Sequence, residues 1–139
     1  MAPQPVATII AMKNPKAKTV FDMTEEWDKI AEDSALMMGC VIVRNEFLEA
    51  HPDAVKSFLK EYEASIAAAQ KDPAATGQYC EAFGIVPKAA IAEKAIPACG
   101  LTFVTGEKMR TGLSGYLKVM ADADPKAVGG KLPGEDFYY

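Results

Sequence analysis

Along residues 52–71 apolar side chains recur at helical spacing. Val55, Phe58, Leu59, Tyr62, Ile66 and Ala69 fall at offsets 0, 3, 4, 7, 11 and 14, while Lys56, Lys60, Glu61 and Glu63 take the other faces. This pattern predicts one amphipathic helix opening at Pro52, with one side turned to a core. A second such stripe, Met109, Leu113, Tyr116, Leu117 and Met120, predicts a helix that starts after Thr105. Between them, Asp72 before Pro73 pairs a cap with a first-turn proline and predicts a helix that Gly84 closes. Val86 and Pro87 repeat the device for "KAAIAEKAI", which is expected to end before Pro97.

Upstream, Pro5 is expected to open a short helix through "VATIIAMK", and "NPK" at residues 14–16 marks a turn. "TVFDM" (19–23) has strand character, and Thr24 is expected to cap a helix carrying Glu25, Glu26 and Trp27. Nine residues from Ala35 to Val43 carry no charge, which predicts a strand buried on both faces, although Gly39 and Cys40 thin its centre. Asn45 is then expected to cap "EFLEA", which must stop near His51 because the residue before Pro52 is pushed out of the helical region. Two strand candidates beside five or six helices are too few for a covered sheet. Either further strands hide in segments such as "GLTFVT", or the chain is part of a larger α/β protein.

Composition narrows the function classes. The 139 residues are 50% apolar and 24% charged, which suits a globular protein and excludes disordered and collagen-like classes. A net charge of -4 with no local cluster of Lys or Arg argues against nucleic acid as a partner. No run approaches the roughly 18 apolar residues of a membrane-spanning helix, and the first residues carry no signal peptide pattern. Three cysteines, Cys40, Cys80 and Cys99, without any CxxC, signal neither a zinc site nor a disulfide framework.

Candidate chemistry is sparse. The single histidine, His51, sits before Pro52, where filling the turn is its simplest role, and a Cys40/His51 pair is the one thiol nucleophile the sequence offers. Glu25/Glu26 and Glu61/Glu63 are accounted for by a dipole-favoured first turn and a solvated helix face. "VGGKLPG" lacks the spacing of a phosphate loop and follows no strand. Met37, Met38 and Cys40 could line an apolar pocket, as readily as they could fill a core. The tail "GGKLPGEDFYY" ends in Phe137, Tyr138 and Tyr139, which are expected to dock on the body of the protein or on a missing part of it. With no catalytic set in view, binding is favoured over catalysis, and neither a metal nor a cofactor is expected.

The order "PQPVAT", "FDMTEEWDKI", "GCVIVRNEFLEAHPDAVKSFLKEYEASI", "FGIVPKAAIAEKAIPACGLTFVTGEKM" and "GGKLPGEDFYY" resembles the C-terminal portion of substrate-binding proteins of ABC importers. The similar branch groups nitrate, sulfonate, taurine and thiamine-pyrimidine binders. The resemblance implies an α/β class, a partial periplasmic-binding-protein-like fold of type II that is helix-rich with few strands. Residues 1–38 would be the end of a second lobe, and 39–139 a hinge-crossing strand followed by C-terminal helices of the first.

Its functional implications are equally specific. The chain would be a fragment of a solute-binding component that captures a small organic or anionic ligand between lobes, outside the cytoplasm. It would deliver that ligand to an ABC permease in the membrane. "PQPVA" is similar to the family's cleft-lining "PEPVA", which would place Gln4 and Pro5 at the ligand, with Gln removing a charge that a cationic ligand would meet. Met38, Gly39 and Cys40 would sit where the crossing strand passes the cleft, the glycine letting ligand approach the backbone. Exposed strand edges of a fragment would favour self-association. Two alternatives stand beside this reading: a thiol enzyme using Cys40, akin to thiamine-pyrimidine synthesis, and a helical protein-interaction module.

Overall fold

The computed structural model describes residues 1–139. Seven α-helices follow one another: α1 (Val6–Lys13), α2 (Met23–Asp28), α3 (Asn45–Ala50), α4 (Pro52–Lys71), α5 (Pro73–Ala82), α6 (Ala89–Ala95) and α7 (Gly106–Ala123). Short 3-10 turns occupy Ile96–Ala98, Pro125–Val128 and Glu135–Phe137. The helix starts follow their chemistry. Pro52 and Pro73 stand in the first turns of α4 and α5, and the Asp72 carboxylate accepts a hydrogen bond from Ala75 N at 2.9 Å. Gly84, at φ 69°, turns the chain after α5, a conformation that a Cβ would strain.

Several boundaries move for local reasons. The helix expected from Thr24 begins at Met23, because Asp22 is the better cap, accepting from Thr24 N at 2.8 Å and Glu25 N at 3.4 Å. It ends at Asp28, which leaves Ile30 exposed. The cap of α6 is Lys88 in place of Val86, and the Glu81 side chain of α5 accepts from Ala89 N at 2.6 Å. Pro97 does not stop the chain from coiling, because a 3-10 turn can place a proline in its first positions where no donor is needed.

No β-strand forms anywhere in the chain, so the α/β, periplasmic-binding-protein-like expectation is corrected to a helix-rich, all-α-like fold. The physical reason lies in pairing. A strand exists only against a partner, and the apolar runs at 19–22, 35–43 and 101–104 find none. The run from Ala35 to Val43, expected to be buried on both faces, is exposed from Met38 to Ile42, with Ile42 77% accessible. Ala35 N donates to Gly112 O at 3.2 Å, after which no backbone group from Leu36 to Val43 has a hydrogen-bond partner within the protein.

The chain divides into two compact units, neither continuous in sequence. The first comprises Met1–Lys18 and Val43–Phe103; the second comprises Thr19–Ile42 and Val104–Tyr139. In the first, Val86, Ala92 and Ile96 form a small core with Cys80, Ile91 and Leu101 against it. Gly77 is buried where α5 meets α6. Phe58 and Tyr62 of α4 stack with ring centres 5.6 Å apart, and Phe103 meets Tyr62 edge-on. Gln70 holds the segment after the 3-10 turn by donating to Leu101 O. In the second unit the 3-10 turn Pro125–Val128 folds back on α7, and Leu113 is its one buried large apolar residue.

Little of the apolar surface is covered. The solvent-accessible surface is 10,555 Å². Two separate folded bodies of half this mass would expose about 8,500 Å² in all by the usual mass scaling. Val20, Phe21, Phe83 and Ile85 are among the large side chains left in water. This thin coverage explains why the amphipathic face of α4, correctly located by its periodicity, contributes only Val55 to the buried set.

Candidate functional site

The site is built from the middle of the second unit upward. On α7, Leu113, Tyr116, Leu117 and Met120 form one stripe by their spacing, and they turn it toward the segment Met37–Cys40. That segment is brought close by two glycines. A Cβ at Gly112 would stand 2.8 Å from Met37 Cε and 3.2 Å from Ala35 Cβ, and one at Gly115 would overlap Asp33 O. Ala127 and Val128, carried back by the 3-10 turn, form a third wall. Asp124 starts that turn by accepting from Lys126 N at 3.0 Å, and Gly129, at φ 74°, ends it.

These walls enclose a hollow of about 340 Å³ that is partly open to solvent. The size falls at the lower end of the roughly 300–1,000 Å³ typical of small-molecule sites. Its lining is Met-rich and aliphatic, without a charged side chain, and Gly39 has no atom within 4 Å of the position its Cβ would take. The Tyr116 ring is held from behind: Trp27 packs on it at 5.4 Å with planes tilted by 53°. Trp27 is fixed in turn by its Nε1–H, which donates to Ser34 Oγ at 2.9 Å. A Ser34→Ala variant should therefore lose about 1 kcal/mol. It should also shift the Trp27 emission, since the indole loses its acceptor; unchanged emission and stability would show that the bond does not hold the ring.

The tail docks beside this wall in part. Arg110 of α7 pairs with Glu135 and lies over the Tyr138 ring at 5.6 Å, while Phe137 and Tyr139 stay largely exposed. The expected docking of three aromatics is thus the docking of one.

The residues singled out in the sequence separate. Met38, Gly39 and Cys40 line the hollow, together with Met37. Gln4 and Pro5 belong to the first unit, where Gln4 Oε1 accepts from Thr8 N at 3.3 Å and Thr8 Oγ1 at 2.7 Å and so steadies the start of α1. His51 packs against Phe47 at 4.9 Å at the start of α4. All three cysteines are free thiols. Burial, with the nearby Cys80 adding to it, pushes the Cys99 thiol above its ordinary range, so at neutral pH it is protonated and not activated as a nucleophile. No group of three or more His, Cys, Asp or Glu side chains is placed to hold a metal ion, and no helix is long and apolar enough to cross a membrane.

Leu113, Tyr116, Leu117 and Met120 are expected from the sequence only as a helix stripe, and Trp27 only as a residue of the helix after Thr24. A stripe that packs and a stripe that faces a hollow have the same period, so spacing alone cannot separate them. The available signal was chemical: two methionines on α7 and two beside Gly39 suit an adaptable surface better than a rigid core.

Fold and site together define a helix-rich protein whose second unit carries an uncharged hollow lined by sulfur, aromatic and aliphatic side chains. Residues 8–122 match the family model for menaquinone biosynthesis, and the chain belongs to that family. No curated protein and no solved structure matches it.

That membership overturns the resemblance to substrate-binding proteins of ABC importers, and with it the solute-receptor function and the permease partner. The likeness had a local cause. "HPDAVKSFL" and "PQPVA" are dominated by helix-start chemistry, a pre-proline stop followed by a proline-opened helix, which any fold can use. Neither the Cys40 enzyme nor the helical interaction module gains support from the family match.

Proposed function

We propose that this chain serves menaquinone biosynthesis by holding an aromatic intermediate of that synthesis in the hollow of the second unit. The observation that carries this is the coincidence of the family match with the hollow's lining, because residues 8–122 include eight of the ten residues that form it. Menaquinone is a fused aromatic ring system, and methionine sulfurs and a fixed tyrosine ring are the surfaces that hold such rings. Met38, Gly39 and Cys40 stand at the ligand in this reading.

Thermal denaturation against a panel of naphthalenes, single-ring aromatics, amino acids, sulfonates and oxyanions tests the proposal. A ring compound present at 100 times its dissociation constant should add about 2.7 kcal/mol. Stabilisation by two-ring aromatics alone is expected. A panel in which only open-chain solutes or oxyanions stabilise the protein would sink the reading, as would no stabilisation at all.

A further inference from the structure

We infer that residues 129–139 form a releasable strap along α7, hinged at Gly129 and Gly130 and latched by Arg110, whose release lets the wall of Ala127 and Val128 leave α7 and opens the hollow. The hinge is built locally. Asp124 N donates to Met120 O at 2.9 Å, and the 3-10 turn that follows carries Ala127 and Val128 back onto the α7 stripe. Ala127 N donates to Asp124 O at 2.9 Å, Gly129 N to Lys126 O at 3.2 Å and Gly130 N to Pro125 O at 2.8 Å. Both glycines are left-handed, at φ 74° and 89°. Two successive residues in that region suit glycine alone, and glycine also leaves it without strain, so the chain can swing here.

The latch is a single residue. Across residues 131–139 the only backbone hydrogen bonds, from Phe137 N to Gly134 O and from Tyr138 N to Glu135 O, stay inside the tail. Its one ion pair with the body joins Glu135 to Arg110, and the same guanidinium lies over the Tyr138 ring at 5.6 Å. Arg110, Leu113 and Leu117 stand at offsets 0, 3 and 7 on α7, so the latch lies on the helix face that walls the hollow. The tail therefore runs from Val128 back along about 15 Å of that helix, the rise from Met120 to Arg110 reversed. Its attachment is weak by construction. Glu135 is largely in water, so the pair is screened by salt and contributes little. Latched and released forms then differ little in free energy, which is what a gate requires. Ligand entry through the released strap rests on the reading proposed above; the strap itself does not.

Amide hydrogen exchange of the full chain, read residue by residue by NMR at neutral pH and low salt, tests the strap. Glu135→Gln should speed exchange at Ala127, Gly129 and Gly130 about two- to fivefold, and Arg110→Ala, which also removes the contact with the Tyr138 ring, about tenfold. Both positions are on the surface, so the helices should survive the changes. Asp136→Asn removes the same charge one residue away, where there is no ion-pair partner, and should leave the three amides as they are. Molar sodium chloride should raise the rates of the unaltered protein to those of Glu135→Gln and leave that variant unmoved. Faster exchange confined to residues 131–139 would overturn the strap, because the tail would then fray without moving the wall. Equal acceleration by Asp136→Asn, or none by Arg110→Ala, would overturn Arg110 as the latch. No ligand enters the measurement, so its failure leaves the aromatic-ligand reading standing, and a failed ligand panel leaves the strap.

Discussion

A Gly115→Ala variant is expected to lose about 2–3 kcal/mol of stability, at the upper end for overpacking, even though alanine improves helix propensity by about 1 kcal/mol at an interior position. The reason is what the new methyl meets. It would overlap Asp33 O, stand 2.9 Å from Ser34 Cβ and 3.0 Å from the Asp33 carbonyl carbon, so backbone and not a side-chain tip would have to give. The segment Asp33–Cys40 would be driven off α7, opening the hollow. Thermal denaturation followed by Trp27 emission reads this unit directly, and a fall in midpoint of roughly 10 °C is expected. Gly112→Ala is the internal comparison: its nearest contact is Met37 Cε at 2.8 Å, the far end of a flexible side chain, so the loss should be smaller. Equal effects of the two substitutions would show that backbone crowding at Gly115 is not what sets the spacing.

The companion expectation concerns the first unit. Gly77→Ala should cost about 2 kcal/mol, because the added Cβ would stand 2.6 Å from Ala89 O and 3.2 Å from Glu93 N, both backbone atoms of α6. Separating α5 from α6 also breaks the hydrogen bond that Ala89 N donates to Glu81, leaving an N-terminal amide of α6 without its acceptor. The core of Val86, Ala92 and Ile96 is assembled at this contact. Amide hydrogen exchange should therefore accelerate across residues 73–98. Acceleration confined to α4, or none, would place the stability of this unit elsewhere.

Helices were legible from the sequence because their signals are local. Periodicity located α4 and α7, and the pairs Asp72–Pro73 and His51–Pro52 placed helix starts within a residue, since capping and proline geometry act over a single turn. Strands were not legible, for the opposite reason. Thr19–Asp22 and Ala35–Val43 have the composition of strands, but pairing depends on what lies alongside, which composition does not record. The candidate site divided along the same line. Gly39 and Cys40 were marked by an oddity within one segment, a thinned centre in an apolar run, and Met38 by the resemblance; all three border the hollow. The α7 wall and the Trp27–Ser34 prop required knowing that residues about eighty positions apart meet.

The split of each unit into two stretches of chain has a bearing on how the protein is made. Helix α1 packs on α6, so Val6–Lys13 must leave the ribosome and wait until Ala89–Ala95 follows. At about 5–20 residues per second that interval lasts roughly 4–15 s. Thr19–Ile42, with Val20, Phe21 and Ile30 uncovered, waits about as long, because its partner helix α7 is synthesised after the first unit is complete. The order of assembly is thus interleaved, with residues 19–42 placed only when the last helix arrives, and a chaperone that shields them during elongation would protect the unit that carries the hollow.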